Sequence, residues 1–340
     1  MLKRRTQEIV DNITEGISNP VVRESPSLKT ISTGSTLLDL AISGKVIKGG
    51  GIPEGNLVEV FGPSGAGKTS ILAEIAASCQ SGKGDVLFLD SEARLNQEYA
   101  RIYGVELNPE QYLRPDTVTE MFGKIWEWKP NSEGGTNGVF ADSLAALSTK
   151  MEIEEEDKYG MRRAKEFSEG LRKTCRLIAN NGWIVVCSNQ IREGPSGETT
   201  PGGRAIPYYS SLRIRVGPPA TGGKIVKIIT LANGKKHEKT IGIRSNCIIK
   251  KSSLDDPFRS CLISILFGYG IDDIRENLQY LKEGLGLSKY KAVDQEFSIM
   301  EKAIAYIEEN QLQDQLKQEV ITLWEEIEAK FVVIRKRKER

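Results

Sequence analysis

The sequence predicts an α/β fold, a mostly parallel twisted sheet with helices on both faces, and three observations predict it. Short apolar runs of strand length alternate with longer amphipathic stretches. One run, 56–61, leads directly into Gly62-Pro63-Ser64-Gly65-Ala66-Gly67-Lys68-Thr69-Ser70, which matches G-x-x-x-x-G-K-[ST] in full, and a helical stretch follows it. Three further apolar runs end in polar residues, and open α/β sheets hold their ligands at the carboxyl ends of strands.

Taken in order, residues 1–30 are a polar lead with Ile9, Ile13 and Ile17 at helical spacing before Pro26, a pattern that predicts a short helix on a tether. Its stripe can pack on the chain's own core or against another subunit of an oligomer. Residues 31–273 form the main domain. In it the glycines at 62, 65 and 67 let the backbone wrap so that successive N–H groups and a helix N-terminus point at phosphate oxygens. Lys68 is expected to reach the β- and γ-phosphates and Thr69 to offer its hydroxyl to Mg²⁺. A chance glycine-rich turn would lack the flanking strand and helix.

The later strands bring polar groups to the same edge. Val86-Leu87-Phe88-Leu89 ends in Asp90-Ser91-Glu92, Gly138-Val139-Phe140-Ala141 in Asp142-Ser143, and Trp183-Ile184-Val185-Val186-Cys187 in Ser188-Asn189-Gln190. Asp142 is placed to hold Mg²⁺ directly or through water, the alternative being a helix N-cap. Glu92 is the candidate base that orients an attacking water, because phosphoryl transfer asks the protein chiefly for positioning and charge. Residues 274–340 carry Ile299, Ala303 and Ile307, then Leu316, Val320, Leu323, Ile327 and Phe331, at helical spacing and predict a small helical domain.

Composition narrows the function classes. A chain of 340 residues with 39% hydrophobic content fits a globular protein, and a net charge of +1 confines any nucleic-acid surface to a local patch. The five cysteines are widely spaced without a C-x-x-C pair, and His237 is the single histidine, so free buried thiols are expected rather than a structural zinc. A charged N-terminus and the lack of an apolar run of about 18 residues predict a cytoplasmic protein with no membrane partner.

The order of these motifs resembles the RecA-type homologous-recombination ATPases. Ser32-Thr33-Gly34-Ser35-Thr36-Leu37-Leu38-Asp39 and Gly51-Ile52-Pro53-Glu54-Gly55 lead into the phosphate loop. Phe88-Leu89-Asp90-Ser91-Glu92, Tyr99-Ala100-Arg101 and Ala141-Asp142-Ser143-Leu144-Ala145-Ala146-Leu147 follow. Asn189-Gln190-Ile191-Arg192, Glu198-Thr199-Thr200-Pro201-Gly202-Gly203-Arg204-Ala205 and Pro257-Phe258 complete the series, which runs from Ile31 to Ile271. The resemblance implies a RecA-like P-loop NTPase core using ATP and Mg²⁺. It implies that Glu92 is catalytic, that Tyr99 stacks on adenine, and that Gln190 senses the γ-phosphate and informs the adjoining DNA loop. It also implies that Lys251 reaches the γ-phosphate on a neighbouring subunit, with Ser253 standing where a second lysine is expected and Lys250 able to compensate.

Two segments match the family's DNA-binding loops in position. The first, 151–163, holds an acidic run before Met161, Arg162 and Arg163; the second, 193–204, is rich in Gly, Thr and Pro and includes Gly202, Gly203 and Arg204. Backbone N–H groups in such a loop contact phosphates without reading bases, and Arg162, Arg163, Arg192, Arg204 and Arg213 would supply salt-dependent attraction. The second loop is shorter than in bacterial members and lacks their apolar wedges, leaving Met161. The tail Arg335-Lys336-Arg337-Lys338-Glu339-Arg340 is basic, suited to duplex DNA or simply a solvated end. These departures point to a divergent member, such as one from a phage or mobile element. The function implied is ATP-dependent filament formation on single-stranded DNA, followed by pairing and strand exchange with homologous duplex. The alternative is a recombination mediator or hexameric DNA motor on the same core.

Overall fold

Alternate side chains of the buried strands feed two cores, one on each face of a ten-stranded sheet. The computed structural model describes residues 29–95, 97–132, 134–153, 161–194 and 197–331. The expected helix around Ile9, Ile13 and Ile17 and the basic tail from Arg335 lie outside the described residues.

Along the chain come β1 (Thr30–Ile31), α1 (Thr36–Ser43), β2 (Ile52–Pro53), β3 (Leu57–Gly62) and α2 (Lys68–Ser81). Next are β4 (Val86–Asp90), α3 (Gln97–Ile102), β5 (Tyr112–Leu113), α4 (Val118–Glu127), β6 (Gly138–Asp142), α5 (Lys150–Ile153), α6 (Met161–Asn181) and β7 (Ile184–Gln190). Then follow β8 (Arg192–Gly194), β9 (Gly197–Thr199), α7 (Ala205–Tyr209), β10 (Leu212–Gly217), β11 (Lys224–Thr230), β12 (Lys236–Ser252), β13 (Ser260–Leu266) and β14 (Gly270–Ile271). The last elements are α8 (Asp273–Gly284), β15 (Tyr290–Ala292), β16 (Gln295–Phe297), α9 (Met300–Glu309) and α10 (Gln313–Lys330).

The sheet runs β14-β13-β12-β10-β3-β7-β6-β4-β5, with β11 also paired to β12. From β10 to β5 all pairings are parallel, as expected from the alternation of strands and helices. From β10 to β14 they are antiparallel, so the sheet is mixed. Apart from β10 and β12, which β11 separates in the chain, these paired strands are consecutive and joined by short connections, which an antiparallel pair permits and a parallel pair does not.

Val86 and Phe88 of β4 pack with Ile71 and Ile75 of α2, whereas Leu87 and Leu89 pack with Phe122 of α4 and Phe167 and Leu171 of α6. Burial on both faces is why these strands read as unbroken apolar runs. A third core joins Leu278, Leu281, Ala303, Ile307, Leu316, Val320 and Trp324 to Leu37 and Leu40 of α1. Two members of the expected stripe point outward: Ile299 is 49% and Phe331 75% exposed, because each stands at a helix end. The β15–β16 hairpin in this region is too short to show a sequence period. All five cysteines are free, and among the described residues no helix is long and apolar enough to cross a membrane.

Candidate nucleotide site and its neighbouring loops

β3 lies between β10 and β7, so the turn from Gly62 to Lys68 emerges at the carboxyl edge of the parallel strands. Gly67 caps α2 at φ +89°, and a Cβ there would stand 2.3 Å from Ile265 Cδ1. Gly65 has φ +72° with open space around it, so conformation alone calls for glycine. Ser64, Gly65, Gly67, Lys68, Thr69 and Ser70 form one wall of a cavity of about 530 Å³. Gly62, Pro63 and Ala66 serve the loop from behind. The carbonyls of Gly62 and Pro63 accept from Lys68 Nζ at 3.0 and 2.7 Å, and that of Ala66 accepts from Ser245 at 2.8 Å.

Glu92, Tyr99, Asp142 and Gln190, named from separate stretches of sequence, line the same cavity. Burial pulls the Lys68 ammonium pKa down, while Asp142 and Glu92 draw it back up. Thr69 Oγ1 donates to Asp142 Oδ2 at 2.6 Å, and Ser188 donates to Oδ1. Desolvation raises the Asp142 pKa, the bonds from Ser188 and Thr69 oppose this, and the nearby carboxylates of Glu92 and Asp90 add to it. Two hard oxygen donors side by side, one on a carboxylate crowded by others, fit Mg²⁺.

Glu92 is held from three sides. Ser143 donates to Oε1, Gln190 Nε2 donates to the same oxygen at 3.1 Å, and Arg94 Nε pairs with Oε2 at 2.6 Å. Arg94 was not marked by any motif. Nor were Tyr103 and Phe267, which reach the cavity through tertiary packing rather than local pattern. Tyr103 shares a hydrogen bond with Ser70 at 2.7 Å, donates to the Tyr99 hydroxyl at 2.9 Å, and meets the Tyr99 ring edge-on at 5.3 Å. With Ile265 and Phe267 these rings make the apolar end of the cavity, suited to a flat heterocycle.

The arginines and Lys251 are distributed differently. Lys251 lies away from its own chain's cavity and donates to the carbonyls of Pro207 and Tyr208, each at 2.9 Å. Arg163 turns inward to the carbonyls of Leu144 and Ala145 at 3.0 and 2.7 Å. Arg213 is paired with the buried Glu59 at 2.6 Å and stacks 4.4 Å from the Phe61 ring, so its charge is used inside the fold. Arg162, paired with Glu166 at 3.4 Å, and Arg192 and Arg204 are exposed. Met161 opens α6, its side chain lying outside the described residues together with 154–160.

The described residues of the second loop carry regular pairing. β8 and β9 pair as a hairpin, and Arg215 reaches Glu198 with two nitrogens at 2.7 and 2.5 Å. Gly202 and Gly203 then turn with φ +96° and +70°, where a Cβ on Gly202 would meet Ile206 of α7 and one on Gly203 would meet Ala164 of α6. Asn189 Nδ2 ties the segment back to the sheet, donating to Pro201 O and to Glu59 Oε1, both at 3.0 Å.

Comparison with known proteins agrees with this arrangement. The family model described as the RecA N-terminal domain matches residues 14–272. The chain is 34% identical over 262 residues to the protein RecA of Thermus aquaticus, covering 74% of this chain and 72% of that one. It is also 34% identical over 266 residues to protein RecA of Helicobacter pylori, covering 76% and 71% of the two chains. A similarity of this extent establishes that the chain belongs to the RecA family.

Proposed function

We propose that this protein is a cytoplasmic, ATP-dependent DNA recombinase that forms a helical filament on single-stranded DNA and catalyses homologous pairing and strand exchange. The observation that carries the reading is a continuous hydrogen-bonded path from the nucleotide cavity to the second loop. Glu92 accepts from Gln190, whose backbone N–H bonds Asn189 Oδ1 at 3.0 Å, and Asn189 in turn holds Pro201.

In this reading the loop amides and Lys68 grip the phosphates, and Thr69 with Asp142 holds Mg²⁺. Bound there, the cation offsets charge on the β- and γ-phosphate oxygens. Glu92, fixed by its donors, accepts a hydrogen bond from water and aims it at the terminal phosphorus. Gln190 exchanges Glu92 for a γ-phosphate oxygen when ATP binds and returns after hydrolysis, shifting the 192–204 segment as it goes. Exposed Arg192 and Arg204 and the amides at Gly202 and Gly203 contact the DNA backbone. Lys251 serves the neighbouring subunit's nucleotide, residues 1–30 join subunits, and 274–340 form an accessory domain.

A second reading has one observation in its favour. The described hairpin positions are Arg192, Glu193, Gly194, Gly197, Glu198 and Thr199, among which there is no apolar wedge for opening stacked bases. That suits a mediator or hexameric motor. An ATPase assay with and without single-stranded DNA, run beside a joint-molecule assay, separates the two. DNA-stimulated turnover with joint molecules supports the recombinase; turnover indifferent to DNA without pairing excludes it.

A further inference from the structure

The β11–β12 ribbon projects beyond the body of the sheet. Among the described residues β11 pairs with β12 alone, and its residues are almost all exposed. Residues 224–241 contain five lysines, Lys224, Lys227, Lys235, Lys236 and Lys239, against one acid, Glu238. Lys227 stands directly opposite Lys239 in the register, an arrangement that costs stability because like charges face each other across the ladder. None of the five lysines has an ion-pair partner within 4.0 Å among the described residues.

The two lysines flank a shallow hollow of about 570 Å³ that also takes in Ile229, Leu231, His237, Ile241 and one acid, Glu238. Ile228 on the opposite face is 61% exposed and Ile229 is 49% exposed. A lysine-bearing edge strand resists the addition of another strand, and two copies of this ribbon would repel one another. A polyanion with regularly spaced charge instead neutralises what the fold leaves unpaired. A two-stranded ribbon also has the width to enter a DNA major groove.

We infer that the β11–β12 ribbon is a further nucleic-acid contact, a basic arm that lies along the phosphates of duplex DNA through Lys227 and Lys239. The inference rests on the recombinase reading and adds a surface separate from the 192–204 segment. The arm is anchored where it matters. β12 runs on to Ile243, which lines the nucleotide cavity and stands 3.9 Å from the Cβ position of Gly67, so the ribbon grows out of the wall beside the phosphate loop.

The test uses the full chain with Lys227→Ala/Lys239→Ala and Lys227→Arg/Lys239→Arg. Binding to labelled mixed-sequence duplex and single strand is followed by anisotropy over a range of salt, with DNA-free ATP turnover and sedimentation as controls. The alanine pair should lose about tenfold in duplex affinity, and its log K against log salt slope should fall by about 1–2, near 0.9 for each phosphate contact removed. Single-strand affinity and DNA-free turnover should stay within about twofold, and the arginine pair should bind duplex as the parent does. Duplex affinity and slope unchanged in the alanine pair overturn the inference, as does a loss that follows dissociation of the chain's own oligomer. A parent that binds neither polymer overturns the recombinase reading and the arm with it.

Discussion

Glu59→Ala is the most informative single perturbation of the core, because it cuts a buried charge from two strands at once. Glu59 sits fully buried in β3, directly beside Arg213 in the parallel register of β10. Its carboxylate receives Arg213 Nε at 2.6 Å and Asn189 Nδ2 at 3.0 Å. Without it the Arg213 guanidinium, whose side chain is 18% exposed, keeps the face of Phe61 as its remaining partner among the described residues. Stranding one partner of a buried pair costs about 3–5 kcal/mol, a large share of the roughly 5–15 kcal/mol that holds a domain folded.

The assay is urea unfolding of three variants. Glu59→Ala should lose about 3–5 kcal/mol, Glu59→Gln less because its amide oxygen still accepts from Asn189, and Glu59→Leu/Arg213→Met should recover most of the loss by replacing the pair with apolar contact. A loss below about 1 kcal/mol in Glu59→Ala, or a double variant no better than the single, would refute the assignment of a desolvated charge pair. Because Asn189 loses one of its two anchors in Glu59→Ala, DNA stimulation of ATP turnover should weaken in that variant, whereas Glu59→Gln, which still accepts from Asn189, should retain it.

Other outcomes follow from the site. Lys68→Ala should abolish hydrolysis, and Glu92→Gln should slow turnover by about 100-fold while leaving ATP affinity within a few-fold, read by single-turnover kinetics and equilibrium titration. Equal turnover in Glu92→Gln and parent would remove Glu92 from its role. Burial pushes the Glu74 carboxyl up to about 7 from an ordinary 4.5, against the bond it accepts from the Ile271 N–H. The folded state therefore holds an extra proton between these values, and stability falls as pH rises through that window. Glu74→Gln, which can still accept that bond, should gain up to about 3 kcal/mol over the parent near pH 8 and nothing below about pH 4. A difference independent of pH would show that Glu74 does not titrate there. Arg204→Ala should weaken single-strand binding and lower its salt slope by about 0.7, measured by anisotropy; an unchanged slope excludes a phosphate contact.

Local chemistry is written in the sequence, and long-range contact is not. The phosphate loop was legible because its chemistry is contiguous: glycine dihedrals, a helix start, a lysine and a threonine all lie within nine residues. Asp142, Glu92 and Gln190 were legible because apolar runs of strand length end in them, and parallel strands place those ends on one edge. The family emerged from the order of such local signatures.

What no local pattern contains is which strand neighbours which. The order β13-β12-β10-β3-β7-β6-β4 brings Ser188 to Asp142, Glu59 to Arg213 and Asn189, and Ile265 with Phe267 to the glycine loop. Register does the same for Lys227 and Lys239, twelve positions apart in sequence yet directly opposed on the ribbon. Rotamers decided that Arg163 and Arg213 serve the fold while Arg192 and Arg204 face solvent. By itself the sequence determined the fold class, the motif chemistry and the edge where a ligand belongs, since these depend on periods and dihedrals within a few residues. Tertiary structure alone decided the partners of each charge, because burial and cross-strand distance are properties of segments that the chain places far apart.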